Sequence, residues 1–132
     1  MKRTEQREHI FKLIFGADFN EEAEQGTQAE LYFEQIEGAT EKDVQYISEK
    51  AQKVVEKIDE IDAMINEHTT GWKTGRMNKV DLTILRLAVY EMKWDEDVPT
   101  GVAINEAVNL AKKYSSEDGA SFVNGVLAKL AD

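Results

Sequence analysis

The stretch that most constrains this chain is Asn78–Trp94, which no glycine or proline interrupts. At 100° per residue, Lys79, Thr83, Arg86, Tyr90 and Lys93 collect on one narrow stripe. Val80, Leu82, Ile84, Leu85, Leu87, Ala88, Val89 and Met92 fill nearly all the rest. A helix apolar around most of its circumference is buried by neighbours on several sides. Asn78 followed by Asp81 reads as a variant capping box at its start. The stretch is too short and too interrupted by charge to cross a bilayer. It is therefore expected to be the central helix of a core built from other helices.

The rest of the composition agrees. One proline and eight glycines in 132 residues leave little room for the turns of an all-β fold. A chain of this length is expected to be a single domain, residues 1–132. Cysteine is absent, which excludes disulfides and thiolate metal sites and fits a reducing compartment. The opening residues Met1–Arg7 lack the apolar run of a signal peptide, so a cytoplasmic location is expected.

The net charge of −10 argues against nucleic acid only until its distribution is considered. Residues 21–70 hold fourteen acidic and four basic side chains, whereas residues 71–94 hold two acidic and five basic ones. Only local charge reaches a phosphate through a Debye screen of about 8–10 Å, so a basic face outside the acidic middle can still bind one.

Taken in order, the chain offers a first amphipathic helix over Thr4–Ala17 with Ile10, Phe11, Ile14 and Phe15 on its apolar face. Arg3 and Arg7 are stacked on the Ile10 and Ile14 side, so this helix is expected to overhang the core and present them at its edge. A short second helix is expected after Asn20, through Leu31, Tyr32, Phe33 and Ile36 to Gly38. From Thr40 the apolar series Val44, Ile47, Ala51, Val54, Ile58, Ile61, Ile65 predicts one long third helix within a compact bundle. A short link from Trp72 to Met77 leads to the central helix. Another helix is expected from about Thr100, and a last one after Ser115 and Ser116, either of which offers an N-cap. Gly119 and Gly125 flank Phe122 and Val123 and suggest close approach of another backbone or a ligand.

Catalytic chemistry is not legible. His9 and His68 have no metal-ligand spacing around them, and the many carboxylate pairs at helical spacing read as solvated faces. No nucleophile elbow, dinucleotide fingerprint or phosphate loop is present; the Gly71…Gly75-Arg76 run lacks the Walker spacing and follows a helix. Asn105, Glu106 and Asn124 interrupt apolar stripes and read as hydrogen-bonding residues between helices. No enzyme, cofactor or metal is expected.

One half of the chain carries more than generic helix. Val80-Asp81…Ile84-Leu85-Arg86-Leu87-Ala88-Val89-Tyr90-Glu91, then Asp97-Val98-Pro99, then Val102–Val108 with Leu110–Tyr114, then Glu117-Asp118…Phe122–Leu127 together resemble the NusB family of bacterial transcription antitermination factors. The blocks keep the family's order and spacing over roughly residues 80–127, and Arg3…Arg7-Glu8…Phe15 matches its basic first helix more loosely. The resemblance implies an all-α fold of about six to seven helices arranged as two small sub-bundles. It implies a non-enzymatic role: binding boxA-type single-stranded RNA of the rRNA leader with the ribosomal protein NusE, and helping to load an antitermination complex, with other Nus factors, on RNA polymerase. The alternative is an adaptor related to the accessory domain of rRNA cytosine methyltransferases.

Carried over residue by residue, Lys2, Arg3 and Arg7 would contact phosphates, Tyr114 and Phe122 would offer rings to bases, and Asp118 would accept from a base amino group. Tyr114 and Phe122 fit the apolar stripes of their helices equally well, so core and base-stacking roles both stand. Phe15 and Asp81 match positions turned toward NusE, and Arg86 and Tyr90 lie on a stripe bordering that surface. The basic N-terminus is thin, diluted by Glu5 and Glu8, which implies that RNA binding leans on NusE. A monomer, or a weak homodimer that NusE displaces, is expected, with no membrane partner.

Overall fold

Asn78 starts the helix around which the larger part of the chain is built. Its Oδ1 accepts the Asp81 N–H at 2.8 Å, and its Nδ2 donates to Asp81 Oδ2 at 2.8 Å, a reciprocal cap of the expected kind. The computed structural model describes residues 1–17, 36–69 and 73–131. Among these, six α-helices are present: α1 (Arg3–Ala17), α2 (Glu41–Glu56), α3 (Ile58–His68), α4 (Lys79–Trp94), α5 (Thr100–Tyr114) and α6 (Glu117–Ala131), with a single 3-10 turn at Thr74–Arg76. The described residues contain no strand, and the chain divides into two compact units, Met1–Glu56 and Lys57–Asp132. The second helix expected between Asn20 and Gly38 lies, up to residue 35, outside the described residues.

In the first unit α1 packs on α2. Ile10, Phe11 and Ile14 from α1 and Ile47, Ala51 and Val54 from α2 are buried. The start of α2 is tied to α1 through one carboxylate. Asp43 accepts the Thr40 N–H and hydroxyl on Oδ2, both at 3.0 Å, and Gln6 Nε2 on Oδ1 at 2.9 Å. The Thr40 hydroxyl in turn accepts the Asp43 N–H at 3.1 Å, completing a capping box. The Met1 ammonium stands 3.6 Å from Asp43 Oδ2.

The second unit is organised as the sequence predicts. Helix α4 packs against α3, α5 and α6, and every residue from Asp81 to Glu91 is buried. Leu85, Ile84 and Val89 are wholly inaccessible. The polar stripe is covered as well: Thr83 returns its hydroxyl to the Lys79 carbonyl at 2.7 Å, and Arg86 clamps Asp62 of α3 with both nitrogens, Nε to Oδ1 at 2.9 Å and Nη2 to Oδ2 at 2.8 Å. Lys93 closes the far end by donating to the Leu130 carbonyl at 2.8 Å, where α6 has carbonyls without helical partners.

One expectation fails. The long helix from Thr40 is two helices, because Lys57 leaves the helical region at φ −103°, ψ 5°. Its ammonium lies 5.5 Å from the centre of the Trp94 ring and 3.7 Å from Glu60. The apolar periodicity continues in register through the break, so nothing in the pattern marks it.

The Asp43 cluster has a measurable consequence. The Thr40 N–H holds the Asp43 carboxyl down at about 2, with the Gln6 and Thr40 side chains and the terminal ammonium adding to it and burial opposing. A depressed carboxylate contributes stability that is complete above the unfolded value of about 3.9 and is lost as pH falls through the folded one. Thermal melts between pH 4 and pH 2 should therefore show Asp43→Asn losing less of its midpoint than the parent. Parallel curves for the two proteins would mean that this carboxylate is not coupled to folding.

Candidate nucleic-acid interface

The residues expected to meet RNA fall into two groups, one in each unit. In the first unit Lys2 and Arg3 are exposed at the start of α1, and the Arg3 guanidinium lies 4.6 Å from the centre of the Tyr46 ring. A guanidinium stacked on a ring keeps its edge N–H groups free to point outward, which preorganises it for an anion. Arg7, one turn on, is only 7% exposed, so the structure does not present it at the edge as expected. His9, two residues beyond, has its pKa pushed down by burial first and by Lys12 second.

In the second unit the α5–α6 corner carries the other three. Tyr114 is half-buried on the last turn of α5, with the Lys113 ammonium 5.4 Å from its ring centre. Ser115 leaves the helix at φ −117°, ψ −112° while its N–H still donates to the Ala111 carbonyl at 2.8 Å. Ser116 then caps α6: its hydroxyl accepts the Gly119 N–H at 2.9 Å and its carbonyl accepts the Ala120 N–H at 2.8 Å. Asp118 is exposed in the first turn of α6, where the helix dipole favours a carboxylate. Phe122, one turn further, is half-buried. Lys112 and Lys113 are exposed beside the corner and supply local positive charge that the chain's net charge conceals. Two half-exposed rings, a carboxylate and two lysines around one bend are a surface that can stack unpaired bases and hold their phosphates.

The positions expected to face a protein partner are placed differently from one another. Phe15 is half-buried, with its ring centre 6.2 Å from that of Phe11. Asp81, Arg86 and Tyr90 lie on α4 and are 5%, 6% and 8% exposed. Tyr90 stacks on Trp94 at 6.1 Å. These three therefore shape a surface more than they project from it. Sequence reasoning missed Asp62, Asp43 and the place of Ser115 against Gly119, having read Ser115 only as an N-cap candidate. Thr40 three residues before Asp43 was a legible capping signal for the second; the other two are visible only once helices are packed.

Of the two flagged glycines, only Gly119 is a close approach. A Cβ placed there would fall on Ser115 Oγ and 2.9 Å from Asp81 Oδ1, whereas one on Gly125 would meet nothing within 4 Å. Among the described residues there is no cluster of three or more His, Asp or Glu side chains suited to a metal, and no helix is long and apolar enough to cross a membrane.

Comparison with known proteins bears on this surface. The NusB family profile matches residues 4–132. The transcription antitermination protein NusB of Agathobacter rectalis is 50% identical over 131 residues, covering 99% of this chain and 100% of that protein. Its counterpart in Lachnoclostridium phytofermentans is 46% identical over 132 residues, with 100% of each chain covered. Among solved structures, NusB of T. maritima superposes with a TM-score of 0.86 at 32% identity, over 99% of this chain and 91% of that one. A crystal structure of the antitermination factors NusB and NusE in complex with dsRNA superposes with a TM-score of 0.81 at 26% identity, over 99% of this chain and 98% of that one.

Proposed function

Because the chain belongs to the NusB family, we propose that it is a cytoplasmic, non-enzymatic antitermination factor. It binds boxA-type single-stranded RNA of the rRNA leader jointly with NusE, and the pair helps to load an antitermination complex on RNA polymerase. The observation that carries this reading is the match, over 99% of the chain, to a structure of NusB and NusE in complex with dsRNA. The chain's own residues supply suitable chemistry, acting as one NusB-like domain of 132 residues.

In this reading Lys2 and Arg3 contact phosphates, and Arg7 supports them from within the first unit. Tyr114 and Phe122 offer their exposed edges to bases, and Asp118 accepts from a base amino group. Phe15 of the first unit meets NusE, and in the second unit Asp81, Arg86 and Tyr90 shape a NusE-facing surface of α4. The protein is a monomer, or a weak dimer that NusE displaces.

Fluorescence anisotropy with labelled boxA RNA tests this directly. Binding should be stronger with NusE than without, and single-stranded RNA should compete better than a duplex of the same sequence. Arg3→Ala should weaken binding to all sequences alike and reduce the salt slope by about 0.7, the value of one single-strand phosphate contact. No binding at low salt, with or without NusE, would leave the fold without this function.

A further inference from the structure

Asp81 holds a buried carboxylate of which only one oxygen is used. Oδ2 takes the Asn78 amide at 2.8 Å, but Oδ1 is buried and accepts no hydrogen bond. Nothing local relieves it, because the Asn78 amide is fixed in orientation by the Asp81 N–H donating to its oxygen. A buried oxygen left so is costly unless a positive potential or a donor faces it.

What faces it is the first turn of α6. Gly119 lies directly against Oδ1, at a position where a side-chain carbon would be 2.9 Å away and would fall on the Ser115 hydroxyl oxygen as well. The start of a helix carries a partial positive charge, so a carboxylate set against it is stabilised even without a direct bond. The Ser115 hydroxyl oxygen lies against the same position on Gly119. Gly119 is thus held between two jaws, Asp81 from α4 and Ser115 from the end of α5, and a side chain there would have to push at least one of them aside.

We propose that Asp81 is a positioning residue for the α5–α6 corner. With Ser115 it grips α6 at Gly119 and thereby sets the angle at which Tyr114, Asp118 and Phe122 meet RNA. Asp81 touches neither RNA nor partner in this role and acts through Gly119. The inference rests on the RNA reading above for its consequence, though not for its geometry.

The test pairs a size swap with two readouts. RNA affinity is measured by anisotropy with boxA RNA and NusE, far below each variant's thermal midpoint. Amide hydrogen exchange at Gly119 and Ala120 is measured on the free protein. Gly119→Ala should weaken RNA binding about tenfold with the salt slope unchanged, since a misdirected ring loses stacking and no phosphate contact. It should also accelerate exchange at the corner. Ser115→Gly combined with Gly119→Ala moves the side chain from one jaw to the gap, and should return affinity to within about twofold of the parent. Asp81→Ala should lower RNA affinity and accelerate exchange at Gly119 and Ala120.

If Gly119→Ala does not fold, Ser115→Gly alone removes one jaw without adding bulk and should cost about threefold in RNA affinity. Unchanged affinity and exchange in Gly119→Ala, or in Ser115→Gly where the former does not fold, would overturn the proposal. So would a double variant no better than Gly119→Ala on both readouts. Should the parent bind no RNA, the functional reading falls, and exchange at Gly119 and Ala120 alone decides the grip: recovery in the double variant upholds it, and no recovery overturns it.

Discussion

Replacing Leu85 with alanine should cost about 2–5 kcal/mol, the range for a fully buried large-to-small change. Leu85 has no exposed surface and sits at the middle of α4, which packs on α3, α5 and α6. With three neighbouring helices held by their own contacts, the space left by the side chain cannot collapse fully, so a cavity penalty adds to the lost transfer energy. Against a total stability of about 5–15 kcal/mol, the loss is a large fraction. Chemical denaturation of the variant beside Lys79→Ala, on the exposed first turn of α4, makes the comparison internal. The lysine change should stay within about 0.5 kcal/mol. A Leu85→Ala cost below about 1 kcal/mol would mean that α4 is not the helix around which the second unit is packed.

The second large effect is electrostatic. Arg86 and Asp62 form a two-point pair with side chains 7% and 21% exposed. Asp62→Ala takes two charge-assisted hydrogen bonds from a guanidinium in a nearly dry place, and the cost comes from losing them there, not from the pair's net worth. We expect about 2–4 kcal/mol, somewhat below the range for fully enclosed pairs because water reaches the Asp62 side. Replacing both residues, Asp62→Leu with Arg86→Met, should recover part of the loss, since the guanidinium is then no longer buried beside a missing carboxylate. A double variant as unstable as Asp62→Ala would show that Arg86 contributes through packing of its stem.

These two sites mark what the sequence could and could not disclose. The all-round apolar face of Asn78–Trp94 is a one-dimensional pattern with one structural solution, so α4, its cap and its central place were readable in advance. Arg86 was readable only as a polar interruption, because its partner is 24 residues away on α3. The Lys57 break was invisible because apolar spacing runs through it unaltered. Gly119 and Gly125 look alike in sequence, and only packing separates the one held between side chains from the one in open space. Tyr114 and Phe122 were ambiguous between core and surface, and the structure gives the reason: both are half-buried at a corner, so both readings describe part of each ring. Asp81 matched a partner-facing position, yet its carboxylate lies beneath the surface against another helix.

Antitermination by a boxA-dependent route is the protein's proposed role, and transcription itself measures it most directly. A template carrying boxA upstream of a terminator is transcribed by RNA polymerase with NusE and the other Nus factors, with and without this protein. Read-through should rise when the protein is added and should not rise when the boxA sequence is scrambled. Read-through that ignores the protein, or that rises equally on the scrambled template, would contradict it.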